Sequence, residues 1–154
     1  MRFLPLGIDL NGKRCVVLGG GAVGTRKVLT LLQAGAVVTV VSPDVTEELA
    51  AEISEGRVSW VKDDYKEGHL DDAFLAVCAT SDAELNAAIA TTAREGGTLV
   101  CNASSAQHSQ VIFGALCEVD DGTVAVFTDG DSPARARQTR DRIAVLLDRG
   151  QTRK

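Results

Sequence analysis

One stretch, Cys15-Val16-Val17-Leu18-Gly19-Gly20-Gly21-Ala22-Val23-Gly24, constrains this chain more than any other. An apolar run stops abruptly in glycines and restarts as a helical pattern, which reads as strand, tight turn and helix. Gly19, Gly21 and Gly24 satisfy G-x-G-x-x-G, with one glycine for the turn, one for close approach of a pyrophosphate and one for packing helix on strand. The N–H groups that open the helix, those of Ala22 and Val23 among them, would then face an anion, helped by the positive end of the helix dipole. A structural strand–helix turn is the alternative. The context favours a nucleotide: Lys13-Arg14 precede the strand, and Val28, Leu31 and Leu32 keep helical spacing as far as Gly35, a suitable C-terminal cap.

Beyond this unit the pattern alternates. Ala36–Val41 is β-branched and too short for a helix, so it reads as a second buried strand, parallel to the first, and completes a right-handed strand–helix–strand unit. At its end stand Ser42, Pro43 and Asp44. Ser42 is a candidate for a ribose hydroxyl or a phosphate, while Asp44 reads either as the ribose acid or as the N-cap side of the next helix. No arginine follows to meet a 2′-phosphate, which favours NAD over NADP. A helix is expected over Val45–Glu55, a strand over Arg57–Val61, and a charged loop over Lys62–Asp72 with His69 exposed in it. Ala73–Ala79 reads as a buried strand that ends in Thr80-Ser81-Asp82, at the sheet edge where open α/β folds bind ligands. A helix over Asp82–Glu95 and a strand over Thr98–Cys101 follow, the latter leaving through Asn102-Ala103-Ser104-Ser105.

The alternation then changes. Val111–Cys117 and Thr123–Thr128 read as a hairpin joined at Asp120-Asp121-Gly122, and a last helix opens at Ser132-Pro133 and carries Ile143, Leu146 and Leu147. The expected division is residues 1–105 as a nucleotide-binding domain and 106–154 as a hairpin-and-helix segment. The lead-in from Phe3 to Gly12, closed by an Asn-Gly turn, is expected to pack across the edge of the first domain. The last segment is too short for a core of its own and should pack on that domain or on a second copy, making a homodimer.

Composition narrows the class. The 154 residues carry a net charge of −5, yet from Arg135 onward seven basic residues face two acidic ones. An acidic body with a basic tail does not resemble a general nucleic-acid binder, whose positive surface would be broader. Cys15, Cys78, Cys101 and Cys117 are widely spaced and match no zinc pattern, so reduced thiols in a cytoplasm are expected. No run of apolar residues is long enough for a membrane span, and no secretory leader is evident.

The order Phe3-Leu4-Pro5-Leu6, Leu10-x-Gly12-Lys13-Arg14 and Val17-Leu18-Gly19-Gly20-Gly21-Ala22-Val23 with Arg26-Lys27 resembles the precorrin-2 dehydrogenase family of siroheme synthesis. Later matches are Ala79-Thr80-Ser81-Asp82 with Leu85-Asn86, Cys101-Asn102, Ile112-Phe113, Asp129-Gly130-Asp131-Ser132-Pro133 and Ala136-Arg137. The resemblance implies a Rossmann-like parallel sheet followed by a dimerisation segment, and NAD-dependent oxidation of precorrin-2 to sirohydrochlorin. In some members of the family ferrous iron is inserted as well. It places the nicotinamide near Thr80 and Asn102. A tetrapyrrole polycarboxylate would pair with Arg135, Arg142 and Arg149, one stripe of the last helix, with Ser132 at its head; a solvated basic face is the alternative.

Two departures stand out. The family's aspartate, implicated as a general base, falls on Ser105, which is no carboxylate. His108, with the side-chain type that titrates nearest neutrality, and Asp129 or Asp131 are the stand-ins. Many members also continue past the last helix into a further lobe. Both departures leave open a second reading, a catalytically weakened NAD or tetrapyrrole-binding module serving as regulator or carrier. A chelatase alone would leave the glycine turn without a task.

Overall fold

Strands apolar on both faces must be covered on both, which demands helices above and below a parallel sheet. A computed structural model of the chain describes residues 2–119, 122–128, 130 and 132–151, with the side chains of 148–151 excepted. Within residues 7–111 the elements run β1 (Arg14–Gly20), α1 (Ala22–Gln33), β2 (Val37–Val45), α2 (Glu47–Ser54), β3 (Val58–Val61), β4 (Leu75–Cys78), α3 (Ala83–Glu95) and β5 (Leu99–Asn102). All five strands are parallel, in the order β3-β2-β1-β4-β5, so the chain reverses direction across the sheet between β1 and β4.

Side-chain alternation divides the core. Val16, Leu18, Ala76, Cys78 and Val100 pack with Ile89, Ala90 and Ala93 of α3. Cys15 and Val17 point to the other face, where Gly24 of α1 lies over Val17. Leu18, Leu31, Leu49 and Ile89 are fully buried, each contributing about 1.5–3 kcal/mol by leaving water. α1 stops as expected, with Gly35 at φ +75° just past the cap. Asp82 caps α3, its carboxylate accepting the N–H groups of Glu84 and Leu85 at 2.9 and 3.0 Å.

Several sequence expectations shift. β2 runs on to Val45, and the N-cap of α2 is Thr46, whose hydroxyl accepts the Leu49 N–H at 3.2 Å; Asp44 therefore does not cap, and Val45 is in a strand. His69 is half-buried at the end of a 3₁₀ turn, Glu67–Leu70, because its Nδ1 accepts the Lys66 N–H at 3.1 Å. The compact units also divide elsewhere than at 105/106. Residues 106–111 belong with the sheet, since Ser109 bonds back to Asn102 and the N–H groups of Gln110 and Val111 donate to Val100 at 2.9 and 3.0 Å. Residues 2–6 group with the second unit rather than with the sheet.

That second unit contains the antiparallel pair β6 (Ala115–Val119) and β7 (Gly122–Val126), and α4 (Pro133–Gln151). The hairpin is present, with Val111–Gly114 outside the strand; Asp120 and Asp121 lie outside the described residues. The Arg140 guanidinium donates to the Leu116 carbonyl at 3.0 Å and joins α4 to β6. Ser132 caps α4, its hydroxyl accepting the Arg135 N–H at 3.3 Å. Val145, Leu146 and Leu147 of α4 remain exposed, Leu146 by 67%. No helix among the described residues is long and apolar enough to cross a membrane.

Candidate functional site

The carboxyl ends of β1, β4 and β5 meet around the glycine turn, and the glycines divide its work. Gly19 adopts φ +110°, and a Cβ there would lie 2.4 Å from the Ala79 carbonyl oxygen. A Cβ on Gly24 would lie 1.9 Å from the Gly19 carbonyl oxygen, so helix and strand touch backbone to backbone. Gly20, outside the motif spacing, is equally confined: the extension of β2 sets the Asp44 carbonyl oxygen 2.4 Å from its Cβ position. Only a pairing beyond the apolar run reveals this, so the sequence held no local signal for it. Gly21 differs, with nothing within 4 Å of its Cβ position.

Gly21 is also the N-cap of α1, and it has no side chain with which to cap. The first turn holds no acidic residue, and Gly21, Ala22 and Val23 are exposed. The first helical N–H groups lack intrahelical acceptors, so positive potential and donors face open space here. The turn is held from behind. Thr25 Oγ1 donates to the Gly21 carbonyl at 3.0 Å and lies 2.8 Å from Thr46 Oγ1.

The exits of β4 and β5 form the other side of the site. Thr80 follows β4, its N–H and hydroxyl donating to Asn86 Oδ1 at 3.1 and 2.8 Å. Asn102 ends β5 and is 4% exposed; its Oδ1 accepts the Ser104 N–H at 2.9 Å, and its Nδ2 is buried without a partner. An unpaired buried amide donor is costly unless a ligand or water meets it. Ser109 ties the loop down, its hydroxyl accepting the Asn102 N–H at 2.9 Å and lying 2.9 Å from the Ser105 carbonyl oxygen. Ser105 is half-buried there, and His108 is exposed at the end of a 3₁₀ turn, Ala106–His108. The structure therefore brings Ser105 and His108 into one loop. Asp129 and Asp131 lie outside the described residues.

Ser42, at the edge beyond β1, is 8% exposed and offers its carbonyl to Trp60 Nε1 at 2.9 Å, whereas Pro43 and Asp44 after it are exposed. Arg135 and Arg142 are exposed on α4, in the other unit; the Arg149 side chain is not described. None of the four cysteines is bridged, and burial pushes the Cys15 thiol up to about 11 and the Cys78 thiol up to about 12. Burial lowers the pKa of the Lys27 ammonium on α1. No cluster of metal-ligating side chains occurs among the described residues.

An uncapped helix start, a glycine with an open Cβ direction and an orphan amide donor, set at the reversal point of a parallel sheet, define a dinucleotide-binding α/β protein of the Rossmann type. The chain belongs to the family described as "Putative NAD(P)-binding", whose model matches residues 6–115. It is 38% identical over 150 residues to the siroheme synthase of Azotobacter vinelandii and, likewise at 38% over 150 residues, to that of Chromobacterium violaceum. Each match takes in 97% of this chain but 32% of the relative, so the chain spans about a third of the length of these curated relatives. Among solved structures it is similar to SirC, a precorrin-2 dehydrogenase, with a TM-score of 0.80 and 28% identity over 93% of this chain and 70% of that one. The resemblance drawn from the motifs thus extends through almost all of the chain.

Proposed function

We propose that this chain oxidises precorrin-2 to sirohydrochlorin with NAD⁺ as electron acceptor. The observation that carries the reading is the likeness to SirC over 93% of this chain, beside which stands this chain's own uncapped glycine turn. The N–H groups of Ala22, Val23 and Gly24 hold the pyrophosphate, with Gly19 and Gly24 fixing the turn and Gly21 leaving room for it. Ser42 and Asp44 lie where the adenosine ribose is read, and the carboxylate of Asp44 disfavours a 2′-phosphate. Thr80 and Asn102 border the second mononucleotide, and Asn102 Nδ2 supplies a donor to it.

Bound there, the nicotinamide supplies the hydride acceptor. Loss of a hydride from the macrocycle leaves one proton to be removed. Ser105 is neutral, so we assign the base to His108, three residues on in the same loop, with Ser105 as a hydrogen-bonding neighbour and Asp129 as the alternative carboxylate. Exposed Arg135 and Arg142, with Ser132 at the head of their helix, supply charge for the substrate's carboxylates. The three consecutive exposed aliphatics of α4 are covered by a second copy of the chain, making a homodimer that hydrodynamic measurement would detect. Three buried thiols fit a cytoplasmic setting.

The test incubates the purified chain with precorrin-2 and either NAD⁺ or NADP⁺, following reduced cofactor and sirohydrochlorin by absorbance. Turnover with NAD⁺ is the expected result. Cofactor binding without turnover would favour the weakened binding module, for which the serine at position 105 is the specific observation. Ferrous iron added to the same mixture reads out chelation.

A further inference from the structure

Asn86, on the first turn of α3 and fully buried, makes four side-chain hydrogen bonds. Its Oδ1 accepts from the N–H and the hydroxyl of Thr80, and its Nδ2 donates to the Thr80 carbonyl at 3.1 Å and to Ser104 Oγ at 2.7 Å. The carboxamide thus pairs with both peptide groups of Thr80 as a neighbouring strand would, and with its remaining hydrogen reaches the loop after β5. Thr80 also leads back to the glycine turn: its N atom lies 2.9 Å, and the Ala79 carbonyl oxygen 2.4 Å, from the place a Gly19 Cβ would occupy. Contacts therefore run from the phosphate turn through Ala79-Thr80 and Asn86 to Ser104, linking the exits of β1, β4 and β5.

Three features indicate that this is more than core satisfaction. The other buried residues of α3 are Ile89, Ala90 and Ala93, and an aliphatic side chain at position 86 would likewise avoid the cost of burying an amide. All of its partners are in loops at the carboxyl edge and none in the strands themselves. Ser104 in turn donates its N–H to Asn102 Oδ1, the bond that orients the orphan Nδ2. We propose that Asn86 is a positioning residue for the dinucleotide, fixing the β4 and β5 exits at the spacing its second mononucleotide requires and aiming the Asn102 donor through Ser104. The proposal rests on the NAD reading above.

Two variants test it. Asn86→Ala removes every side-chain bond of the carboxamide, whereas Ser104→Ala, at an exposed position, cuts only the Asn86–Ser104 bond and leaves the Ala103 N–H on the Cys78 carbonyl. Each is compared with the parent by thermal melting, by amide hydrogen exchange over 79–82 and 102–109, and by NADH titration well below the melting temperature. Ser104→Ala should melt within a few degrees of the parent, exchange faster in both loops, and bind NADH several-fold more weakly; Asn86→Ala, if folded, should weaken binding by tenfold or more. NADH affinity within twofold of the parent in folded Ser104→Ala, with faster exchange confined to its own loop, would overturn the proposal. Failure of the parent to bind NAD⁺ or NADH would instead remove the cofactor reading and the proposal's ligand with it, while exchange in the two variants would still decide whether Asn86 couples the exits.

Discussion

Thr25 Oγ1 and Thr46 Oγ1 lie 2.8 Å apart, joining the first turn of α1 to the cap of α2. One hydroxyl of this pair also accepts the Leu49 N–H, and the other donates to the carbonyl of Gly21. Thr46→Ala should therefore cost about 1–2 kcal/mol in urea unfolding, as loss of an N-cap does, and should weaken NADH binding by loosening the glycine turn. Thr46→Ser, which keeps the hydroxyl, should recover most of both.

The glycines of the turn should separate stability from binding. Gly24→Ala drives a methyl group into the Gly19 carbonyl and should cost about 3 kcal/mol or more. Gly21→Ala meets no neighbour, so its melting temperature should stay close to that of the parent while NADH affinity falls at least tenfold. Equal melting losses in the two variants would remove the assignment of Gly21 to the ligand.

For the proton step, His108→Gln should lower kcat by about a hundredfold, with NADH affinity unchanged. Ser105→Asp in that background should restore part of the rate, because it returns a carboxylate to the same loop. An unchanged kcat in His108→Gln would move the base to Asp129.

The basic face of α4 should act on substrate affinity. Arg135→Gln with Arg142→Gln should raise KM for the tetrapyrrole several-fold, leave kcat within about twofold, and reduce the salt dependence of kcat/KM, as expected when charge-assisted contacts to carboxylates are lost. An unaltered KM would mark these arginines as a solvated face.

Stability should fall at alkaline pH through the buried thiols. Both pKa values are raised by folding, from 9.0 to about 11 for Cys15 and about 12 for Cys78, so the native state keeps protons that the unfolded chain releases. Their contribution is intact below pH 9 and is lost as pH rises through these values, by about 1.4 kcal/mol per pH unit for each thiol. Urea titrations from pH 8 to pH 10.5 should show the decline, and Cys78→Ala should make it shallower.

Local patterning determined much of this molecule. The glycine spacing, the β-branched runs and the stop at Gly35 placed the sheet and its helices, because each signal acts within a few residues along the chain. The resemblance carried by dispersed short motifs named the family, and the comparisons agree. Tertiary structure alone decided which polar residues meet. Gly20 is confined by a β2 extension from 24 residues away, Thr46 rather than Asp44 caps α2 because β2 runs through Val45, and His69 turns inward to accept a backbone N–H. Asn86 shows the difference best: in sequence it is one polar residue on a helix, and only the folding of β4, α3 and β5 together surrounds it with Thr80 and Ser104. Periodicity reports which face of an element is buried; the partners of a buried polar group depend on how distant segments are brought together.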